Sequence, residues 1–268
     1  GPFGIVYRLI DHLLDGDRDG IDWFLDWLAA PLQSLYDGRG SRRTLSAVVL
    51  HGVQGTGKGW LTEILRVLYG EYLLVIGQAN LEDAFDPAKL TRLLFLVCNE
   101  VTSGSNRDEA TMNRLKAWVT EDFAAVRRMG AAAEEVAVHF NMLFTSNATR
   151  PVRLEEGDRR YSVWIQDRKL GEDIVAELRR EKSNGWPCVP YFLNALLQRD
   201  VTRKFWEPHV NKARKQLLES SLDSVIAFAR ELRDFGVRTM AADWLLEERA
   251  RRRRASEHAD PPEAWAKE

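Results

Sequence analysis

The segment from residue 44 to residue 69 limits the possible folds of this chain more than any other part of its sequence. A short apolar run, residues 45–50, leads into the pattern G-x-x-x-x-G-K, and residues 60–69 after it have the apolar spacing of a helix. A buried strand, a glycine loop and a helix in this order are the context in which this pattern binds phosphate. The alternative is a glycine-rich turn that fits the pattern by chance. Such a turn would not explain the strand before it, the helix after it or the position of the lysine.

We call residues 52–58 the glycine loop. The glycines let successive backbone N–H groups turn inward around a phosphate, and the following helix adds the partial positive charge of its N-terminus. Lys58 is expected to bridge the outer phosphates, while Gly59 occupies the position that normally provides a Ser or Thr hydroxyl to Mg²⁺. Either an additional water or a nearby hydroxyl such as that of Thr62 would replace this ligand. The expected phosphate-binding residues are Gly52, Val53, Gln54, Gly55, Thr56, Gly57, Lys58 and Gly59.

The apolar runs downstream predict an α/β fold. Strand candidates alternate with helical segments, which is the order that a parallel sheet requires. Helical spacing continues on both flanks, in residues 3–36 and beyond residue 168. The sequence therefore predicts a P-loop core with a five-stranded, mainly parallel sheet in residues 41–168, an N-terminal helical segment in 1–40 and a C-terminal helical region in 169–268. The strand candidates are residues 45–50, 72–76, 93–97, 136–145 and 161–165, and further helix candidates are 110–119, 172–182, 191–198 and 211–235.

The overall composition excludes several classes of protein. Hydrophobic residues make up 45% and charged residues 29% of the chain, which is typical of a globular domain rather than a disordered one. A net charge of −2 excludes a polycation, so any polyanion site has to be a local patch. No apolar run approaches the roughly 20 residues of a membrane span, and with two cysteines we expect a cytoplasmic protein of a bacterium or a phage-infected host. Gly1-Pro2 is typical of a cleaved tag, so the native protein is expected to be longer.

Polar residues at the ends of two later strands are candidates for hydrolytic machinery. Asn99 and Glu100 directly follow the apolar run 93–98. At the carboxyl end of a strand near the phosphates, such side chains hold the water shell of Mg²⁺, and a glutamate can polarise the attacking water as a general base. Asn147, after the next strand candidate, can orient that water or contact the γ-phosphate. A helix cap is the alternative role for the Asn-Glu pair, and a plain turn residue is the alternative for Asn147.

A pair of arginines, Arg159 and Arg160, precedes the fifth strand candidate and is flanked by acidic residues. One of them is expected to act as an arginine finger, which completes the site of a neighbouring subunit and stabilises charge in the transition state. The alternative is an intramolecular salt bridge with Asp158 or Glu156, which contributes about 0–1 kcal/mol when exposed. The order of the loop, the Asn-Glu pair, the strand-end asparagine and the arginines favours the finger.

These four features in this order resemble superfamily 3 helicases, and more closely the helicase domain of phage and plasmid primase-helicases, which is related to the poxvirus-type primase-helicases. The resemblance covers residues 45–168 and extends more loosely into the helical flanks. It implies an AAA+-like core, a homo-oligomeric ring that is usually hexameric, and ATP-driven movement along single-stranded or forked DNA with Mg²⁺ as cofactor. It leaves room for a primase or polymerase module in the same native chain.

Carried over position by position, the resemblance also implies roles for single residues. Lys58 would be the lysine that binds phosphate, and Asn99 and Glu100 would be the metal shell and the general base. Asn147 would be the sensor, and Arg159 or Arg160 would be the arginine finger that acts on a neighbouring subunit.

In this family a basic hairpin lines the channel of the ring and grips DNA. The matching segment here contains Arg127 and Arg128, and Lys116 lies on the preceding helix candidate. Basic residues in a central channel bind backbone phosphate without reading sequence, so a near-neutral chain can still bind DNA. The alternative is that these arginines pair with Glu134 and Glu135 within the hairpin.

The features together predict an ATP-hydrolysing DNA helicase domain of a phage or plasmid replication protein. The alternative is a non-motor AAA+-like switch or loader, which keeps every nucleotide motif but binds DNA weakly and responds to a protein partner. A small-molecule kinase fits less well, because it leaves the strand-end asparagine, the paired arginines and the helical flanks without a role.

Overall fold

The centre of the protein is a parallel sheet, seen here in a computed structural model that describes residues 3–37, 44–77, 90–99, 106–127, 133–147, 158–201 and 207–221. These residues all belong to one compact unit, Gly1–Ser221. The sheet consists of β1 (Ala47–Gly52), β2 (Leu73–Gly77), β3 (Phe95–Asn99), β6 (Asn141–Ser146) and β7 (Tyr161–Gln166), and a separate antiparallel hairpin consists of β4 (Phe123–Arg127) and β5 (Ala133–Ala137). The order in the five-stranded sheet is β2-β3-β6-β1-β7, with every pair parallel.

Seven α-helices of ten or more residues lie within the described residues. None of the described helices combines the length and apolar composition needed to cross a membrane. The helices are α1 (Gly4–Leu13), α2 (Arg18–Tyr36), α3 (Lys58–Tyr69), α4 (Asn106–Thr120), α5 (Glu172–Ser183), α6 (Cys188–Leu197) and α7 (Lys212–Ser221), with a short 3₁₀ turn at Gly70–Tyr72.

Alternate side chains of each strand enter two hydrophobic cores on opposite faces of the sheet. Val48 and Leu50 of β1 pack in one core with α1, α2, α3, α5 and α6. Val49 between them packs in the other core with α4, the hairpin and α7. The strands are therefore buried on both faces, which explains why they are continuously apolar in the sequence.

Trp27 joins the N-terminal helices to the sheet. Its side chain is fully buried in α2, its indole N–H donates to the carbonyl of Ser46 at 3.0 Å, and its ring meets the ring of Phe95 edge-on at 5.2 Å. The side-chain amide of Asn141 in turn donates to the carbonyl of Trp27 at 3.1 Å. Because these partners come from the start of β1, from β3 and from β6, α2 and the sheet share one core.

Asp17 joins the first helices to β7 and to the segment before α7. One carboxylate oxygen accepts from the backbone N–H of Gly20 at 3.0 Å and caps α2. The other accepts from the indole of Trp164 at 3.1 Å and pairs with Nε2 of His209 at 2.8 Å, while the His209 ring stacks on Trp164 at 5.5 Å. Burial alone would raise the pKa of Asp17, but the hydrogen bonds from these three partners hold it below its usual value. Its stabilising effect is therefore lost only as the pH falls through that lowered pKa.

The prediction of one strand over residues 136–145 is wrong. The structure divides this range into β5, which ends at Ala137 and pairs with β4, and β6, which begins at Asn141 in the parallel sheet. Val136, Val138 and Phe140 are all buried, so apolar alternation continues across the bend and gives no sign of it.

The other four strand predictions are confirmed, with their ends displaced by one or two residues. The predicted helix 211–235 begins at Lys212 and is described up to Ser221, and its remainder lies outside the described residues.

Candidate functional site

A cavity of about 830 Å³ lies at the carboxyl edge of the sheet. The carboxyl ends of parallel strands meet at one edge, and this edge is where open α/β sheets bind ligands. Two predicted loop residues, Gly52 and Val53, do not line the cavity. Its wall contains residues 54–60 of the loop and α3, Gly77, Asn99 and residues 145–147 at the strand ends, and Glu63 and Val175 from the helices.

The path of the glycine loop is fixed by close contacts with the end of β7, with the segment that follows it and with α1. Gly52 has a φ of +150°, and a Cβ added there would lie 1.9 Å from the carbonyl oxygen of Gln166. Gly57 has a φ of +104°, and a Cβ there would lie 2.8 Å from Leu9. The backbone N–H of Leu170 donates to the carbonyl of Gly55 at 3.0 Å. The loop therefore requires glycine at these two positions for its conformation and for its packing.

Lys58 begins α3 and extends over the loop. Its ammonium donates to the carbonyls of Gly52 at 2.8 Å and Val53 at 3.1 Å, and to the hydroxyl of Thr56 at 3.0 Å. Gly59 lines the cavity, and a Cβ added to it would meet no atom within 4 Å. The hydroxyl of Thr62, the suggested replacement for the missing ligand, instead donates to the carbonyl of Lys58 at 3.2 Å and does not line the cavity.

The strand-end amides lie on the same cavity as the loop. Strand β6 separates β3 from β1, so Asn147 at its end lies between the loop and Asn99 in the order of the sheet. The Thr145 hydroxyl donates to the side-chain oxygen of Asn99 at 2.8 Å and orients this side chain. Asn147 is exposed, and Glu100 lies outside the described residues. Within the residues that the structure describes, no group of three or more His, Cys, Asp or Glu side chains could hold a metal ion.

The two arginines before β7 differ in their surroundings. The guanidinium of Arg160 lies 3.0 Å from the carboxylate of Asp158, which also accepts from the Arg160 backbone N–H at 2.9 Å. Arg159 is exposed. The salt-bridge alternative therefore describes Arg160, while the structure presents Arg159 to solvent.

The predicted basic hairpin is present as β4 and β5, and its tip lies outside the described residues together with Arg128. Arg127 is the last residue of β4 and pairs in register with Ala133. Glu134 and Glu135 are exposed on β5. Lys116 is only 7% exposed in α4, so most of its side chain is covered by the rest of the unit.

Comparison with known proteins relates the chain to a phage protein. The DNA primase-polymerase of Nitratiruptor phage NrS-1 is 33% identical over 161 residues, which are 59% of this chain and 21% of that protein. The apo structure of the NrS-1 C terminal region (305-718) has a TM-score of 0.68 and 27% identity, and the match covers 91% of this chain and 56% of that one. An A form apo structure of the same region gives a TM-score of 0.65 and 28% identity, with the same two shares of coverage.

The chain is a relative of a phage primase-polymerase. It spans about a fifth of the length of that protein and about half of the solved C-terminal region. A family model described as a family of unknown function, DUF5906, matches residues 50–160. This range begins near the end of β1 and ends at Arg160, so it contains every residue that the sequence predicts for the site.

Sequence reasoning missed three cavity residues on the helices, in addition to Gly77, Thr145 and Ser146 at the strand ends. Trp60 and Glu63 lie on the first turns of α3, and Val175 lies on α5. The helix that follows the loop lysine was predicted, so its first turn could have indicated Trp60. Val175 had no local signal, because only the tertiary contacts of α5 with α1 and α3 bring it to the cavity.

Two histidines predict a loss of stability in mild acid. Burial lowers the pKa of His51, whose Nδ1 is buried without a hydrogen-bond partner among the described residues, and it also lowers the pKa of His12. The unfolded chain then binds more protons than the fold between these lowered values and the ordinary histidine pKa of about 6.5. The fold is therefore fully stabilised above about pH 6.5 and loses stability as the pH falls below it.

We expect a lower melting temperature at pH 5.5 than at pH 7.5, and His51→Gln should reduce the difference. His139→Gln, a change of the same kind on the link between β5 and β6, is the matched control. Equal pH dependence in the wild type and in His51→Gln would contradict the prediction.

Proposed function

We propose that this chain is a superfamily 3-like helicase domain of a phage or plasmid replication protein, which hydrolyses ATP between the subunits of a ring and moves along single-stranded DNA. The observation that carries the proposal is that Asn99 and Asn147 lie on the same cavity as Lys58 and the loop backbone. A phosphate loop alone suits any nucleoside triphosphate, whereas strand-end amides beside it suit hydrolysis. The strand order, with β6 between β1 and β3, supports an AAA+-like core.

The loop and Lys58 would bind the phosphates of ATP. The inward N–H groups of the loop provide donors, and the ammonium of Lys58 can exchange its contacts with Gly52 and Thr56 for phosphate oxygens. A cavity of about 830 Å³ is within the range of small-molecule sites. Asn99 and Glu100 would hold Mg²⁺ through water, and this ion, when bound, neutralises charge on the phosphates. Mg²⁺ commonly keeps several waters, so the missing hydroxyl at Gly59 is compatible with its binding.

Hydrolysis adds water to the γ-phosphorus and breaks its bond to the oxygen that bridges to the β-phosphate. In this proposal Glu100 accepts the proton of the water, and Asn147 orients the water or the γ-phosphate through its amide. Thr145 and Ser146 are buried beside Asn147, so the end of β6 is held while the amide stays exposed.

Arg159→Ala is expected to bind ATP normally and to hydrolyse it at least about 100-fold more slowly, because an arginine finger contributes about 10³–10⁵ to turnover. Arg159 is exposed and can reach a neighbouring subunit, whereas Arg160 is bound to Asp158. Arg160→Ala is therefore the matched control, with a smaller effect on turnover. The affinity for ATP and the steady-state rate of hydrolysis are measured for both variants and for the wild type.

A mixing experiment tests whether the finger acts between subunits. Arg159→Ala subunits keep an intact loop, and Lys58→Ala subunits keep an intact finger, so mixed interfaces should regain part of the turnover. If neither arginine variant loses turnover, the assignment of the finger is wrong.

The hairpin of β4 and β5 would contact DNA in this proposal. Arg127 lies at the end of β4, and Arg128 follows it in the sequence. In a ring, every subunit would add these positive charges to the same central channel. Lys116 contributes least, because it is buried. The name of the relative, DNA primase-polymerase, supports a role in DNA synthesis and a primase or polymerase module in the same native chain.

The proposal is tested by the mass of the assembly with and without ATP and single-stranded DNA, together with turnover under the same conditions. A ring, usually hexameric, DNA-stimulated turnover and unwinding of a forked substrate are the expected results. Absence of both an oligomer and DNA stimulation in the full-length native protein would overturn the proposal.

A non-motor ATPase that assembles a replication complex is the second candidate. The exposed Glu134 and Glu135 on β5 favour it, because they reduce the positive field of the hairpin. Turnover that responds to a protein partner and is unaffected by DNA would select this candidate over the helicase.

A further inference from the structure

We infer that Trp60 and Val175 form the nucleobase platform of the cavity, so that the site binds a nucleoside triphosphate and not merely a phosphate group. The inference rests on the proposed function and adds to it the part of the substrate that the glycine loop does not contact.

The cavity extends beyond the loop along the first turns of α3 and reaches α5. Gln54 to Gly59 line it on the side of the loop, and Trp60 and Val175 add an aromatic ring and an aliphatic side chain to the same wall. Both side chains are partly buried and pack against the core that α1, α2, α3, α5 and α6 share with the sheet. A site for a phosphate alone has no use for an aromatic ring and an aliphatic side chain in its wall.

Two neighbours, Trp186 and Lys182, hold the ring of Trp60. The ring of Trp186 meets it edge-on, with centroids 6.2 Å apart and planes at 69°. The ammonium of Lys182 lies 5.7 Å from the ring centroid and also forms an ion pair with Glu63 at 2.7 Å. A ring fixed in this way loses little conformational freedom when a base contacts it, which favours binding.

Trp60 is close in the chain to the lysine that is proposed to bind phosphate. It follows Lys58 by two positions at the start of α3, and both residues line the cavity. Val175 approaches from α5 and provides an apolar contact on the cavity wall. Stacking on an aromatic ring suits every base, because every base has a π-face. The platform therefore recognises the class of ligand, a nucleoside triphosphate, and leaves the choice of base to polar groups such as Glu63.

The test compares the affinities of ATP and inorganic tripolyphosphate, measured by calorimetry on the whole chain. Trp60→Ala is expected to weaken ATP binding by roughly 10- to 100-fold, the loss expected for one base–aromatic stack, and to leave tripolyphosphate binding unchanged. Trp60→Phe should retain most of the affinity for ATP. Tyr191→Ala removes an exposed aromatic ring that does not line the cavity, and this control should bind both ligands as the wild type does.

Lys58→Ala separates the inference from the proposed function, since this variant should weaken the binding of both ligands. If Trp60→Ala weakens the binding of ATP and of tripolyphosphate equally, the ring only supports the loop. If Trp60→Ala leaves ATP binding unchanged, the ring contacts no base. Either result overturns the platform while the proposed function stands. A wild-type protein that binds neither ligand would overturn both.

Discussion

Lys58→Ala should lower the turnover of ATP by about 10²–10³-fold or more and weaken nucleotide binding, because in the proposed ATPase it removes the charge that would bridge the outer phosphates. The ammonium of Lys58 is positioned by the loop itself, through contacts with the carbonyls of Gly52 and Val53 and with the hydroxyl of Thr56. The substitution leaves the N-terminus of α3 in place but removes the ammonium cation. Isothermal titration with ATP and a steady-state phosphate-release assay measure the two effects.

Arg66→Ala is the matched control for this change. Arg66 is an exposed cation on the same helix and does not line the cavity. This variant should bind and hydrolyse ATP as the wild type does. A Lys58→Ala protein that retains wild-type turnover would contradict both the loop assignment and the proposed ATPase.

Gly52→Ala should lower the free energy of unfolding by about 3 kcal/mol or more, through backbone strain and overpacking together. The φ of +150° at Gly52 is one that L side chains rarely adopt, and the new methyl group would lie 1.9 Å from the carbonyl oxygen of Gln166. Gly52 and Gln166 pair in register on β1 and β7, so neither backbone can move aside easily. We therefore expect the end of β1 to separate from β7, with loss of phosphate binding. Thermal and urea denaturation measure the loss of stability.

Gly59→Ala is the control within the same segment. A Cβ at Gly59 meets no atom within 4 Å, so the change should shift stability by no more than about 1 kcal/mol, in the stabilising direction. Gly59→Ser adds the hydroxyl that the usual pattern provides, and it should bind Mg²⁺ with ATP at least as tightly as the wild type. If Gly52→Ala is as stable as Gly59→Ala, the contact between the loop and β7 is not as close as described.

Much of the sheet could be predicted because buried parallel strands are continuously apolar. Four of the five strands were located in this way, and the carboxyl edge followed from their direction. The prediction failed between residues 136 and 145, where Val136, Val138 and Phe140 are buried on both sides of a bend. Periodicity reports which side chains are buried, but not the strand with which each segment pairs.

The sequence by itself determined the glycine loop and its lysine, because a strand, a loop and a helix start are consecutive and their geometry depends on neighbouring residues. Tertiary structure decided which distant residues complete the site. It placed β6 between β1 and β3, oriented Asn99 through Thr145, and brought Val175 to the cavity that Trp60 also lines. It also bound Arg160 to Asp158 and left Arg159 exposed. These outcomes depend on packing between segments far apart in the chain, and no local spacing encodes that packing.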